Sequence, residues 1–276
     1  MYHYIGYIVA TTSQKSSAVV SNLIEKWIDT ESNKDKFIEE HLIKKSICKI
    51  IKDVKDLSLV YDSDGGPEKS KCRPLLLLHN IETIVRQNKN QESSRKFGNV
   101  FYRFPFNLYK GCREQSGWDV EHIDSNTENE LRNQNDRKEY LQYAYLGTTD
   151  EEIRGKITEL LESDKVISDE DFDALRKALN SNDNTLDSEE KNQIWNFALL
   201  DSKTNRGYGN SPFSAKRRVI IGKEQGVTFI PPCTRNAFLK YYSTSQATNL
   251  TAWLKEDAEA YRKNMEEVLA VFFNNR

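Results

Sequence analysis

A predominantly helical α+β fold is what this sequence predicts, and three observations predict it. Residues 17–27, 35–59, 75–87 and 250–273 carry apolar side chains at the spacing of amphipathic or buried helices. Two short runs, 118–123 and 195–200, read instead as strands that end in polar turns. The segments between these elements are polar and interrupt the periodicity with Gly, Pro, Asn and Asp. At 276 residues the chain has room for one large domain or two modest ones, with a real core.

Taken in order, residues 1–10 are apolar and aromatic without a start signal, as in an element already packed against another. The apolar positions of the next helix are Val19, Val20, Leu23, Ile24 and Trp27. Those of the helix over 35–59 are Phe37, Leu42, Ile43, Ile47, Ile50, Ile51 and Val54, alternating with lysines until Asp62-Ser63-Asp64-Gly65-Gly66-Pro67 breaks the pattern. Residues 75–87 predict a helix buried on most sides, in which His79 reads as a packed core histidine. His3 and His41 have no acidic or nucleophilic companion and are assigned no chemistry. The polar stretch 88–98 is the expected boundary between an N-terminal helical domain (1–98) and a second domain (99–276). Beyond it, 100–106 is aromatic and extended, and 111–117 is rich in turn residues. Residues 124–191 read as a helical insertion with helices over 131–146, 151–161 and 169–179, the last two opened by Thr149 or Asp150 and by Ser168. A basic helix over 211–221 carries Phe213, Lys216, Arg217 and Arg218. A turn at 229–232, a short helix over 234–242 and the last helix complete a C-terminal wrap (222–276), entered through Thr251 and Asp257 and anchored by Trp253, Tyr261, Val268 and Phe272.

The net charge of −2 conceals an asymmetry. Between Asp124 and Lys191 there are 19 acidic and 9 basic side chains, a net of −10, so the remainder carries +8. An acidic insertion beside an electropositive face is compatible with a nucleic-acid partner, although solvated helix faces produce the same totals. No apolar run, Leu75 to Leu78 included, comes near the length of a bilayer span. Cys48, Cys72, Cys112 and Cys233 show no zinc-finger or redox spacing, and no basic leader with an apolar segment opens the chain. The expectation is a cytoplasmic protein with reduced cysteines and no membrane association.

The chemistry concentrates on the two strand-like runs. The first, Trp118-Asp119-Val120-Glu121-His122-Ile123, ends in a carboxylate followed by an imidazole. The second runs from Asn196 through Leu200 into Asp201-Ser202-Lys203-Thr204-Asn205-Arg206, with an asparagine at each end. Hydrolysis of a phosphodiester needs an activated water, neutralisation of phosphoryl charge and help for the leaving oxygen, and one divalent cation beside a histidine supplies all of them. Mg²⁺ prefers oxygen ligands and is commonly held by one or two protein groups. Asp119 and Glu121 point to one face of a strand and His122 to the other, so a site using both Glu121 and His122 must lie at the strand's end.

These residues resemble the ββα-metal (HNH) finger, including the version found in CRISPR effector nucleases. The resemblance is closer to the HNH-bearing C-terminal region of GmrSD-type restriction endonucleases, which cleave modified DNA in bacterial phage defence. Phe213-Ser-Ala-Lys-Arg217, the run from Phe229 to Tyr242 and the run from Trp253 to Tyr261 also look like that family, so the likeness spans residues 100–276. It extends more weakly to 2–8 and 75–83, which resemble that family's linking helical region. It implies an HNH module with a helical insertion and flanking helices, and a Mg²⁺- or Mn²⁺-dependent nuclease acting on DNA, including modified phage DNA. His122 would be the general base, Glu121 and Asn205 the metal ligands, and Asp119 a ligand through water. Asn196 would tie the loop together and orient His122, while Lys216 and Arg217, with Lys203 and Arg206, would meet phosphates.

The sequence departs from the family in several places. Ser125 stands where relatives often have proline, and the gap from His122 to Asn196 is long for such a finger. The large N-terminal recognition domain of relatives has no counterpart motif here, and Gly65-Gly66-Pro67 is not a phosphate loop. The expectation is therefore a piece that works with an N-terminal regulatory domain or partner subunit, or a stand-alone nuclease. The rival reading is a DNA-binding or regulatory module whose HNH site is inactive or is licensed by that missing domain. A purely structural helical scaffold leaves the paired motifs unexplained.

Overall fold

The computed structural model of the chain describes residues 1–52, 57, 69–94, 102–112, 115–125, 133–148, 150–163, 166–179, 185–201, 213–226, 228–243 and 252–274. The architecture is mostly helical, with two small antiparallel strand pairs, as an α+β reading requires.

The aromatic opening segment is helix α1 (Tyr2–Thr11), which buries His3, Tyr4, Tyr7 and Ile8. Helix α2 (Ser16–Asp29) corrects the expected apolar stripe. The row at Val19 and Leu23 faces the core, whereas Val20 and Ile24 lie on the next row round the helix and are exposed together with Ile28. The expected helix over 35–59 starts at Asn33, whose side chain accepts the Lys36 N–H at 3.0 Å. It comprises Lys34–Lys36, a π-helical section Phe37–Ile47 with i→i+5 bonding, and Cys48–Ile50; we call it α3. Residues 53–56 and 58–59, in the expected last turns, lie outside the described residues.

Helix α4 (Lys69–Ser94) runs longer than its apolar stretch. Leu75 to Leu78, Ile81 and Ile84 are buried, and the helix packs against α1 and the strands over Trp118–His122 and Phe197–Asp201. Residues 102–105 have no regular secondary structure, Phe106–Lys110 forms the short helix α5, and β1 (Gly111–Cys112) pairs antiparallel with β2 (Gln115–Ser116). Strand β3 (Trp118–His122) pairs antiparallel with β4 (Phe197–Asp201), with Glu121 opposite Ala198 and His122 opposite Phe197. Trp195, expected in that second strand, lies in the 3₁₀ turn that precedes it.

Between the strands lie α6 (Gln134–Gly147), α7 (Glu151–Glu162) and α8 (Asp169–Leu179), which gather Tyr140, Leu141, Ile157, Phe172 and Leu175 into a cluster of their own. Asp150 accepts the Glu152 and Ile153 N–H groups, and Ser168 accepts that of Asp171. Thr149 lies outside the described residues. After β4 come α9 (Phe213–Gln225), α10 (Pro232–Phe238) and α11 (Lys255–Phe273). Helix α11 is entered through Asp257, which accepts the Leu254 N–H at 3.0 Å, whereas Thr251 is outside the described residues. The expected boundary at residue 98 also lies outside them. Buried side chains from both sides of it, Tyr4 through Phe272, belong to one hydrophobic cluster.

Candidate active site at the end of the central strand pair

Strand β3 is buried at Trp118 and Val120 and exposed at Asp119, so alternation sends Asp119 and Glu121 to the same side. Asp119 Oδ1 accepts the Val120 N–H at 2.8 Å, and its side chain stands about 7 Å along the strand from Glu121. The strand ends at His122 and the chain turns through 123–125. Neighbours that alternation would keep apart can converge at such an end.

Asn196 makes that turn. Its side chain is fully buried; Oδ1 accepts the Asp124 N–H at 2.9 Å, and Nδ2 donates to the carbonyls of Asp124 and Lys191, each at 2.8 Å. The Asn196 carbonyl accepts the Ile123 N–H at 2.8 Å. The amide thus clamps the residues that follow His122 to the segment that leads into β4.

The His122 ring lies on Phe197, with centroids 4.4 Å apart, and its Nε2 is 3.4 Å from Asn192 Oδ1. Burial is the main cause that pushes its pKa down to about 4, helped by the ammonium groups of Lys216 and Lys191 and opposed by the Asn192 contact. The imidazole is therefore neutral near pH 7, the state in which it can accept a proton. With Asn192 Oδ1 as acceptor, the ring proton sits on Nε2 and the lone pair on Nδ1.

Lys216 departs from expectation. The sequence places it on a basic helix surface facing phosphates, but α9 directs it inward to 0% exposure. Its Nζ lies 2.5 Å from Glu121 Oε1 and 2.8 Å from the His122 carbonyl. Burial pulls the ammonium pKa down, and the Glu121 and Asp124 carboxylates oppose that. A buried lysine is stable here because a carboxylate and a carbonyl replace its water. Arg217 stays half-buried, with its Nε enclosed and without a hydrogen-bond partner among the described residues. Asn205, Lys203 and Arg206 lie outside the described residues.

Sequence reasoning missed three members of the site. Asn192 touches His122, and Lys191 pairs with Asp124 at 3.1 Å while donating to the Ser125 carbonyl at 3.3 Å. Asp124, read only as part of the loop exit, is buried enough for its pKa to rise despite Lys191. The available signal was the Asn192-x-x-x-Asn196 spacing just before the second strand, with Lys191 where the acidic insertion returns.

A metal would find one suitable donor among the described residues, the Glu121 carboxylate, with Asp119 on the same face of the strand. No group of three or more His, Cys, Asp or Glu side chains able to hold a metal occurs among those residues. One carboxylate with bound waters is an acceptable Mg²⁺ donor set. The obstacle is the neighbouring ammonium. A divalent ion about 4 Å from it meets a repulsion on the order of 8 kcal/mol at an effective dielectric constant of about 20. No protein-family model, curated protein or solved structure matches the chain.

Proposed function

We propose that the chain is an HNH-type, ββα-metal endonuclease that nicks or cleaves DNA with Mg²⁺ or Mn²⁺. The observation that carries this reading is the neutral His122 imidazole, one residue after the Glu121 carboxylate in the chain, at the end of a strand whose exit turn is clamped by Asn196. The order β3, β4, α9 and the inward reach of α9 toward Glu121 support it. The resemblance to GmrSD-type nucleases adds the substrate class, and with it a role in a bacterial anti-phage restriction system that acts on modified phage DNA.

In this reading His122 takes the proton from the attacking water, and Asn192 and Phe197 fix the ring's direction. Glu121 would hold the metal, joined by Asn205 and, through water, by Asp119. The metal's contribution is to neutralise phosphoryl charge and assist the departing oxygen. Arg217, Lys203 and Arg206 would meet phosphate oxygens, whereas Lys216, buried against Glu121, would not.

Relaxation of a supercoiled plasmid by the purified chain, with Mg²⁺ or Mn²⁺ against EDTA and with His122→Ala alongside, tests the proposal. Metal-dependent nicking that vanishes in a folded His122→Ala variant is expected; nicking at the parental rate in that variant sinks the mechanism. The hold of Lys216 on Glu121 favours a second reading, a DNA-binding module whose site is licensed by an N-terminal regulatory domain or partner subunit. Binding that weakens steeply with salt, without cleavage in either metal, would select it.

A further inference from the structure

We propose that Lys216 is a built-in counter-ion of Glu121 that competes with the divalent metal, so that the metal binds only as the ammonium withdraws. The inference rests on the nuclease reading for the identity of the metal site, and concerns what that site holds when no metal is bound.

Several observations point the same way. Lys216 is 0% exposed, which is unusual for a lysine and requires specific compensation. That compensation includes the Glu121 carboxylate, met at 2.5 Å, and the His122 carbonyl at 2.8 Å. Glu121 itself is only 12% exposed, so the pair is screened from water. A metal approaching the Glu121 oxygens must share a shielded carboxylate with a cation already in place. The backbone bond to His122 ties the same ammonium to the residue proposed as base, so its withdrawal also releases the end of β3. Lys216 is on this account a positioning residue that sets the metal affinity and keeps the site ordered without metal.

The test reads metal binding directly. Mn²⁺ binding would be measured by electron paramagnetic resonance, counting free ion, for the full chain and for Lys216→Met, Lys216→Arg and Glu121→Gln. Lys216→Met removes the charge and keeps the stem; it should bind Mn²⁺ at least tenfold more tightly than the parent. Lys216→Arg should bind as weakly as the parent, and Glu121→Gln should lose binding. Tighter binding cannot come from structural damage, which lowers affinity, and equal or weaker binding by a folded Lys216→Met variant overturns the proposal. Should that variant not fold, reductive methylation of the parent decides the matter. Lys216 should be protected without Mn²⁺ and become modified at saturation, and protection that persists with Mn²⁺ bound overturns the proposal. Failure here is separable from failure of the nuclease reading. Tighter Mn²⁺ binding without plasmid nicking leaves the counter-ion in place and removes the nuclease, whereas nicking with unchanged affinity does the reverse.

Discussion

Asn196 holds three polar backbone groups from a fully buried position, and truncating it strands all of them. Each buried group left without a partner costs about 1–3 kcal/mol, so Asn196→Ala should destabilise the protein by about 3–5 kcal/mol. Asn196→Asp should not rescue it, because a carboxylate accepts from the Asp124 N–H but cannot donate to the two carbonyls. Urea midpoints for both variants decide this; a loss under about 1 kcal/mol in the alanine variant refutes the clamp. Asn192 works differently, since its side-chain oxygen meets the ring of His122. Asn192→Ala should leave the unfolding midpoint nearly unchanged and slow metal-dependent nicking by about tenfold, the scale of a lost positioning contact. A nicking rate equal to the parent's would remove Asn192 from the site.

Helix α9 is steered from behind by an ion pair that joins the end of α10 to the start of α11. Lys240 and Asp257 meet at 2.6 Å, each 2% exposed, and Phe213 at the head of α9 stacks on Phe238 with Trp253 beside it. Removing one partner leaves a buried charge alone, so Lys240→Met should cost about 3–5 kcal/mol. Lys240→Met combined with Asp257→Asn keeps an acceptor for the Leu254 N–H and removes the stranded charge, so it should be more stable than Lys240→Met alone. Thermal melts of the single and double variants check this, and a double variant that melts lower than the single contradicts it. At this scale the sequence was a good guide wherever local periodicity decides the outcome. Strand β3, the helices of the acidic insertion and the caps at Asp150 and Ser168 follow from alternation, i, i+4 spacing and side-chain chemistry within a few residues. It was a poor guide to Lys216, because a basic run looks solvated until a carboxylate distant in the chain is brought against it. The outward row of α2 was illegible for the same reason: Val20 and Ile24 are as apolar as Val19 and Leu23, and only tertiary packing chooses between rows.

Across the whole molecule, the core that unites α1, α4 and α11 encloses imidazoles that must stay neutral. His79 is fully buried between Asn264, which it meets at 2.9 Å, and the ring of Tyr261, and burial pushes its pKa down to about 4. His3 accepts the Phe104 N–H at 3.3 Å and is likewise held at about 4, first by burial. In the unfolded chain both would titrate near 6.5. Between those values the unfolded state binds more protons than the native state, so stability rises with pH from about 4 to about 6.5 and is level above that window with respect to these groups. At about pH 5 the penalty from His79 alone should be about 2 kcal/mol, reached before most carboxylates begin to protonate. His79→Gln, which keeps a polar partner for Asn264 and does not titrate, should lower stability at about pH 7 yet narrow the difference between about pH 7 and about pH 5. Urea unfolding of both proteins at the two pH values measures that difference. An equal pH dependence in parent and variant would mean that His79 takes up its proton without unfolding the core, against the enclosure it shows between α4 and α11.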